Sequence, residues 1–241
     1  MHRRRAVEFV IFWLRRRFHP SHLVANICSK YLEVYKRLGF SIDERNGERY
    51  RMTLDDRPFL DATVPLREGV EPYPGDPPFS RTLVCEEEDG GYNVSVVTMS
   101  VHTGTHIDAP AHVGLLGGAE TIDLAVLFGS AQLIDWPCPN LDAIRAGRVL
   151  LARAQRGLTR KETEIFVNAG ISLVGIDRLS IGIEEEEWIV HQILLQNGVV
   201  ILENADLARF PPGWYEMRCL PLSMPGSDGV PVRLLLREER S

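Results

Sequence analysis

Residues 100–113 read SVHTGTHIDAPAHV and place His102, His106, Asp108 and His112 within eleven residues. The whole chain has only seven histidines, so three of them are concentrated here. Imidazole nitrogen and carboxylate oxygen are the donors that a borderline divalent cation such as Zn²⁺ takes. On one straight strand His102 and His106 would stand about 13 Å apart, at ~3.3 Å per residue, too far to share an ion. A helix would bring positions four apart together. Thr103-Gly104-Thr105 followed by Pro110, however, is poor helix sequence. The stretch is therefore expected to leave a strand near His102 and turn sharply at Gly104, where φ > 0 carries no Cβ penalty. Pro110 then stiffens the exit. Unreactive histidines around a turn are the plain alternative, and three of them with an aspartate around one glycine weigh against it.

Two more candidates lie downstream. Glu184–Asn197 reads as a helix whose four leading glutamates suit the positive end of its dipole, and these are taken as solvated, not as ligands. His191 shares a face with Trp188, Leu194 and Leu195. Taken alone, a histidine on such an apolar face is more often a packed core residue than a ligand. Gly198 stops the helix, and the β-branched run Val199–Leu202 delivers Glu203, twelve residues after His191.

Other elements must position these groups. Asn93–His102 alternates and is rich in valine, so it is expected to be the strand that brings His102 to the site. Ala131–Trp136, Arg148–Arg153 and Leu173–Ile176 read as strands, and Glu162–Asn168 reads as a helix stopped by Gly170. Tyr215–Leu222 and Val230–Arg237 form a closing pair around the turn Pro225–Gly229. No GxSxG points to a serine nucleophile.

The pattern His102-x-Gly104-Thr105-His106-x-Asp108-x-Pro110-x-His112 resembles the HxGTHxDxPxH signature of the metal-dependent cyclase/hydrolase family, which includes bacterial kynurenine formamidases (arylformamidases) and isatin hydrolases. The resemblance extends over about residues 58–238. It takes in Tyr73-Pro74-Gly75-Asp76, Gly175-Ile176-Asp177-x-x-Ser180, HQILLQNGVVILEN and PLSMPGSDGVPVRLLL. It implies an α/β fold: a single domain with a mixed, barrel-like sheet and outer helices. It implies that His102, His106 and Asp108 hold one metal ion, and that Asp108, His191 and Glu203 hold a second, with Zn²⁺ first and Mn²⁺ as the alternative. It also makes His112 the acid/base and Tyr73 a substrate contact, although a turn aromatic covering core reads equally well from sequence. Such ions would lower the pKa of water from 15.7 to about 7 and polarise an amide carbonyl. The implied reaction is hydrolysis of N-formyl-L-kynurenine to kynurenine and formate, in tryptophan catabolism. A cyclic amide such as isatin and a non-catalytic metal-binding role are the alternatives. Tyr73 stands where formamidases carry tryptophan, and Gln192 follows His191 where they carry a second histidine.

The 241 residues divide by charge: residues 1–51 carry about +7, and residues 52–241 carry about −13. The first segment is read as a basic, helical extension and the second as the catalytic domain. The acidic body argues against nucleic acid as the main partner. Ala6–Leu14 is an apolar run between arginine triplets, too short to span a bilayer. It lacks a cleavage site for a secretory signal. A membrane-surface helix, an oligomer arm, a lid and an upstream extension from a mis-assigned start all remain open for residues 1–51, with membrane contact the weaker reading. The periodic stretch Leu23–Leu38 is expected to be helical, ending at Gly39. Cys28, Cys85, Cys138 and Cys219 show no CxxC spacing and suit a reducing, cytoplasmic setting. A small-molecule amide substrate and a homodimer or homotetramer complete the expectation.

Overall fold

The computed structural model describes residues 57–85, 92–141, 144–145 and 147–239, together with the backbone of three strands nearer the N-terminus. The chain divides into two units, Met1–Pro58 and Phe59–Ser241.

In the first unit the described strands are β1 (Leu23–Ala25), β2 (Phe40–Arg45) and β3 (Arg49–Leu54), in antiparallel order β1-β3-β2. Leu23–Ala25 is thus a strand and not the start of the expected helix. β3 also carries the unit past residue 51. Three consecutive apolar residues, Leu-Val-Ala, can serve either period, and pairing with β3 decides it. The apolar run Ala6–Leu14 and the remainder of Leu23–Leu38 lie outside the described residues.

The second unit is built on a mixed sheet. Its strands are β4 (Leu60–Asp61), β7 (His106–Asp108), β8 (Phe128–Asp135), β9 (Gly147–Ala152), β10 (Ile171–Ile176), β11 (Val200–Glu203), β12 (Gly213–Pro221) and β13 (Gly229–Glu238). The order is β12-β8-β9-β10-β11-β7-β13-β4, and β12 also pairs with β13. That pairing closes seven strands into a barrel and leaves β4 beside the far end of β13. β8, β9, β10 and β11 run parallel to one another, and the remaining pairs are antiparallel. The expected barrel-like mixed sheet with outer helices is therefore present.

Alternation along the strands builds two cores. Leu150, Leu173, Leu202, Ile107, Met217 and Leu234 pack inside the barrel. Their strand neighbours Leu151, Val174 and Ile201 face outward against Phe166, Val190 and Leu194 of the two helices. Those helices are α1 (Arg160–Asn168) and α2 (Glu187–Gln196). α1 starts at a capping box in which Thr159 and Glu162 satisfy each other's backbone N–H, and Arg156 forks onto the Glu162 carboxylate. Thr159→Ala should cost about 1 kcal/mol. In a unit of this size that lowers Tm by about 2–4 °C in a thermal melt.

One expectation fails. The strand from Asn93 stops at Thr98 as β6 (Val94–Thr98), which pairs with β5 (Ser80–Cys85) in a separate two-stranded hairpin. His102 is delivered instead by tight turns, with Thr103 N–H donating to Ser100 O and His102 N–H to Ser100 Oγ. Serine and glycine favour such local bonding over a ladder. The strand comes after the glycine: His106–Asp108 is itself β7, in the body of the barrel.

Candidate metal centre

β7 lies between β11 and β13, with Glu203 opposite His106 on one side and Gly229 opposite Asp108 on the other. His106 and Asp108 are two apart, so both point to the face opposite Ile107, which fills the barrel core. Gly104 holds φ +69, as the turn requires, and Thr105 pins the strand start. The Thr105 hydroxyl donates to Asn204 O at 2.6 Å and accepts from Val64 N at 2.8 Å. Asn204, with φ 53, ends β11 immediately after Glu203, a left-handed position asparagine tolerates. α2 lies over this face and brings down His191, while a short 3₁₀ turn, Pro110–Val113, carries His112.

The side chains converge. His102 Nδ1 lies 3.0 Å from Asp108 Oδ1, and His106 Nε2 lies 3.4 Å from the same oxygen. His191 Nε2 is 3.1 Å from Glu203 Oε1 and 3.5 Å from Asp108 Oδ2. His106 Nε2 is also 3.4 Å from Glu203 Oε2. The His112 ring sits 4.3 Å from that of His102 and 5.5 Å from that of His191, centroid to centroid. All six residues singled out from the sequence as ligands or acid/base thus meet in one place. Tyr73 lines the cavity beside them.

Backbone carbonyls assign the tautomers of His106 and His191. His106 Nδ1 is 2.9 Å from Gly104 O and His191 Nδ1 is 2.8 Å from Glu187 O, so each donates from Nδ1 and turns its Nε2 lone pair inward. His102 has a carboxylate at each ring nitrogen, Asp108 Oδ1 at 3.0 Å from Nδ1 and Asp228 Oδ2 at 3.2 Å from Nε2, which orient the ring without selecting a tautomer. Inward nitrogen lone pairs then face carboxylate oxygens, and only cations between them make that arrangement favourable. Protons can serve. Burial alone would lower the pKa of His106, but the nearby carboxylates of Asp108 and Glu203, each 3.4 Å from Nε2, raise it to about 10. For His191 burial is likewise outweighed by Glu203, and the value rises to about 9. Burial opposes charge on Asp108 too, yet the surrounding imidazoles hold it well below the usual carboxylate range. The same balance lowers Glu203, whose Oε1 also accepts from Ile181 N–H at 2.7 Å.

A divalent metal fits the same place. Asp108 and His106 are each 1 % exposed, and among the described residues Asp108 Oδ2 and His106 Nε2 have no hydrogen-bond partner. Buried polar atoms left without a bond are costly unless something coordinates them. His102, His106 and Asp108 present ligand atoms within 4.8 Å of one another, as do Asp108, His112 and His191. His112 differs electrostatically from the other three histidines. Burial lowers its pKa, because the positive charge of His102 and His191 offsets the attraction of the carboxylates. Its only ion-pair partner among the described residues, Asp228 Oδ2, is 3.9 Å from Nδ1.

Two features were not legible in the sequence. Asp228, read only as part of a turn, reaches both His102 and His112, and with them forms a third group of possible ligands. The one local signal is Gly229 beside it. A Cβ there would stand 2.5 Å from His102 Cε1, so only glycine leaves room for the ring. Gly229→Ala should displace His102 and weaken metal binding roughly 10–100-fold, with little change in Tm. Titration of the metal-free protein with Zn²⁺ measures it. The second feature is the glutamate run: Glu184 and Glu187 are not merely solvated but line the cavity of about 490 Å³ beside the centre.

Comparisons place the chain among known proteins. A family model described as "Putative cyclase" matches residues 60–182. The kynurenine formamidase of Bacillus cytotoxicus is 36% identical over 205 residues, which cover 74% of this chain and 97% of that protein. That of Bacillus cereus is 34% identical over 204 residues, with the same coverage of 74% and 97%. A solved structure described as a potential metal-dependent hydrolase with cyclase activity superposes with a TM-score of 0.64 at 33% identity, covering 76% of this chain and 99% of its own. Isatin hydrolase A from Ralstonia solanacearum has a TM-score of 0.60 at 19% identity, covering 76% and 92%, and shares the fold.

Proposed function

The chain belongs to the cyclase family, and from that membership we propose that it is a metal-dependent hydrolase of amide carbon–nitrogen bonds, converting N-formyl-L-kynurenine to kynurenine and formate. The observation that carries this reading is the buried set His106, Asp108, His191 and Glu203, with two unpartnered polar atoms, beside a cavity lined by His112, Tyr73 and Trp188. His102, His106 and Asp108 would hold one ion, and Asp108, His191 and Glu203 a second; imidazole with carboxylate suits zinc, or manganese. When bound, the metal supplies Lewis acidity and hydroxide at neutral pH.

The residues supply the rest. Carboxylates buried among imidazoles stay ionised and keep the ligand nitrogens fixed. His112, neutral at pH 7 because burial disfavours its charge, takes the proton from the attacking water. As the water oxygen bonds to the formyl carbon and the carbon–nitrogen bond breaks, His112 returns that proton to the leaving aniline nitrogen. Atoms balance with water as the only co-reactant. Tyr73 and Trp188 offer apolar faces for the aryl ring.

Elemental analysis of the purified protein, with formylkynurenine turnover on the same sample, tests the reading. Near two zinc or manganese ions per chain with turnover is the expected result. Isatin opening without formamide hydrolysis would move the chain to the cyclic-amide reading. Failure to take up metal on reconstitution would overturn the centre itself.

We also infer a cytoplasmic homo-oligomer. Cys138 and Cys219 are free, and among the described residues no helix is long and apolar enough to cross a membrane. The β5–β6 hairpin exposes Leu83, Val84, Val94, Val96 and Val97, an apolar surface that suits a second copy. Light scattering should return a multiple of 27.2 kDa.

A further inference from the structure

The cavity beside His112 carries a charge pattern that amide hydrolysis does not itself require. Apart from Glu203 of the metal centre, its lining includes Asp76, Glu184 and Glu187 and, among the described residues, no lysine or arginine. The rest of the wall is apolar or aromatic: Val113, Leu179, Tyr73 and Trp188. Glu187 is fixed at both ends. Its backbone carbonyl accepts from His191 Nδ1 at 2.8 Å, and its carboxylate Oε2 accepts from the Tyr73 hydroxyl at 2.7 Å. That bond, with burial, pushes the phenol up to about 12, so the tyrosine remains a neutral donor against a standing negative charge. Glu184 lies one turn earlier on the same wall, at the 3₁₀ lead into α2. Carboxylates on one wall, with no lysine or arginine among the described lining residues, attract positive groups and repel negative ones. The ring faces of Tyr73 and Trp188 on the same cavity also favour a cation.

We propose that Glu184 and Glu187 are specificity-determining residues that select, among aryl amides, those carrying an ammonium group. The proposal rests on the aryl-formamide reading above and names what that site prefers. For N-formylkynurenine it assigns the α-ammonium to the glutamate wall. The α-carboxylate then finds no lysine or arginine among the described residues that line the cavity, and is left to solvent.

Four formanilides of one scaffold separate the outcomes: the zwitterionic amino acid, its decarboxylated cation, the neutral formylated 2-aminoacetophenone, and the anionic desamino acid. The cation is expected to match or exceed the zwitterion in kcat/KM, to exceed the neutral compound roughly tenfold, and to exceed the anion further. Tenfold corresponds to about 1.4 kcal/mol. The preference should shrink as salt is raised. In Glu184→Gln/Glu187→Gln the cation-to-neutral ratio should fall toward one. Both substitutions keep size and leave the Glu187 backbone carbonyl in place, and metal content and Tm verify that the variant is folded. Inhibition by the product amine gives a second readout, expected to weaken in the variant by the same factor. Equal rates for cation and anion, or a ratio unmoved in the double variant, would overturn the proposal, while turnover of the neutral formanilide keeps the formamidase reading intact. If none of the four is hydrolysed, the formamidase reading falls and this proposal with it.

Discussion

Asp108→Asn should abolish formamide hydrolysis, with a loss on the order of a thousandfold or more. Metal centres contribute several kcal/mol to the stabilisation of transition-state charge, and that contribution disappears with the ions. Asp108 is the residue through which both proposed ion positions pass. Its Oδ1 faces His102 and His106, and its Oδ2 faces His191. Asparagine keeps the shape but offers one neutral oxygen and an NH₂ that repels a cation. The side chain is fully buried, so no water can take over the vacant ligand place. Elemental analysis should show metal content falling well below that of the parent protein. A variant that retained both ions and turned over normally would remove Asp108 from the centre.

His112→Ala is expected to behave differently: metal retained, turnover reduced by about 10²–10⁴. The two histidine classes differ in their surroundings. His106 and His191 have Nδ1 tied to backbone carbonyls and Nε2 held between carboxylates. His112 has neither, is a third exposed on its side chain, and stands where its ring borders the substrate cavity. The pH profile supplies a second check. A general base works in its neutral form, so kcat/KM rises as pH climbs through its pKa. Burial lowers the His112 value, so this limb should lie below the ordinary pH 6.5 and be missing from the alanine variant. Loss of metal from His112→Ala would instead make His112 a ligand, which its proximity to Asp108 and His191 allows.

Much of the centre could be read from residues 100–113, because a turn at glycine and the choice of ligand atoms are local matters. The strand expected to deliver His102 was misplaced for a related reason. Valine-rich alternation marks a strand but not its partner, and Val94–Thr98 pairs with β5 in a hairpin, outside the barrel. His191 shows the opposite case. On its own helix it looks like a core residue, and it is indeed 4 % exposed. Its burial reflects the centre it belongs to, which the helix pattern could not distinguish.

The sequence by itself determined the donor types, the glycine that lets the chain turn between them, and the period-2 and helical patterns of the barrel elements. These depend on residue chemistry and on neighbours a few positions away. Tertiary structure alone decided which segments meet. Closure of the barrel through β12 and β13 sets β7 between β11 and β13, and only that register puts Glu203 opposite His106 and Asp228 against His102. It also turned two of four similar glutamates into the wall of a cavity. Strand order is fixed by burying apolar faces contributed from distant parts of the chain, so it leaves no mark in the local spacing of the residues it brings together.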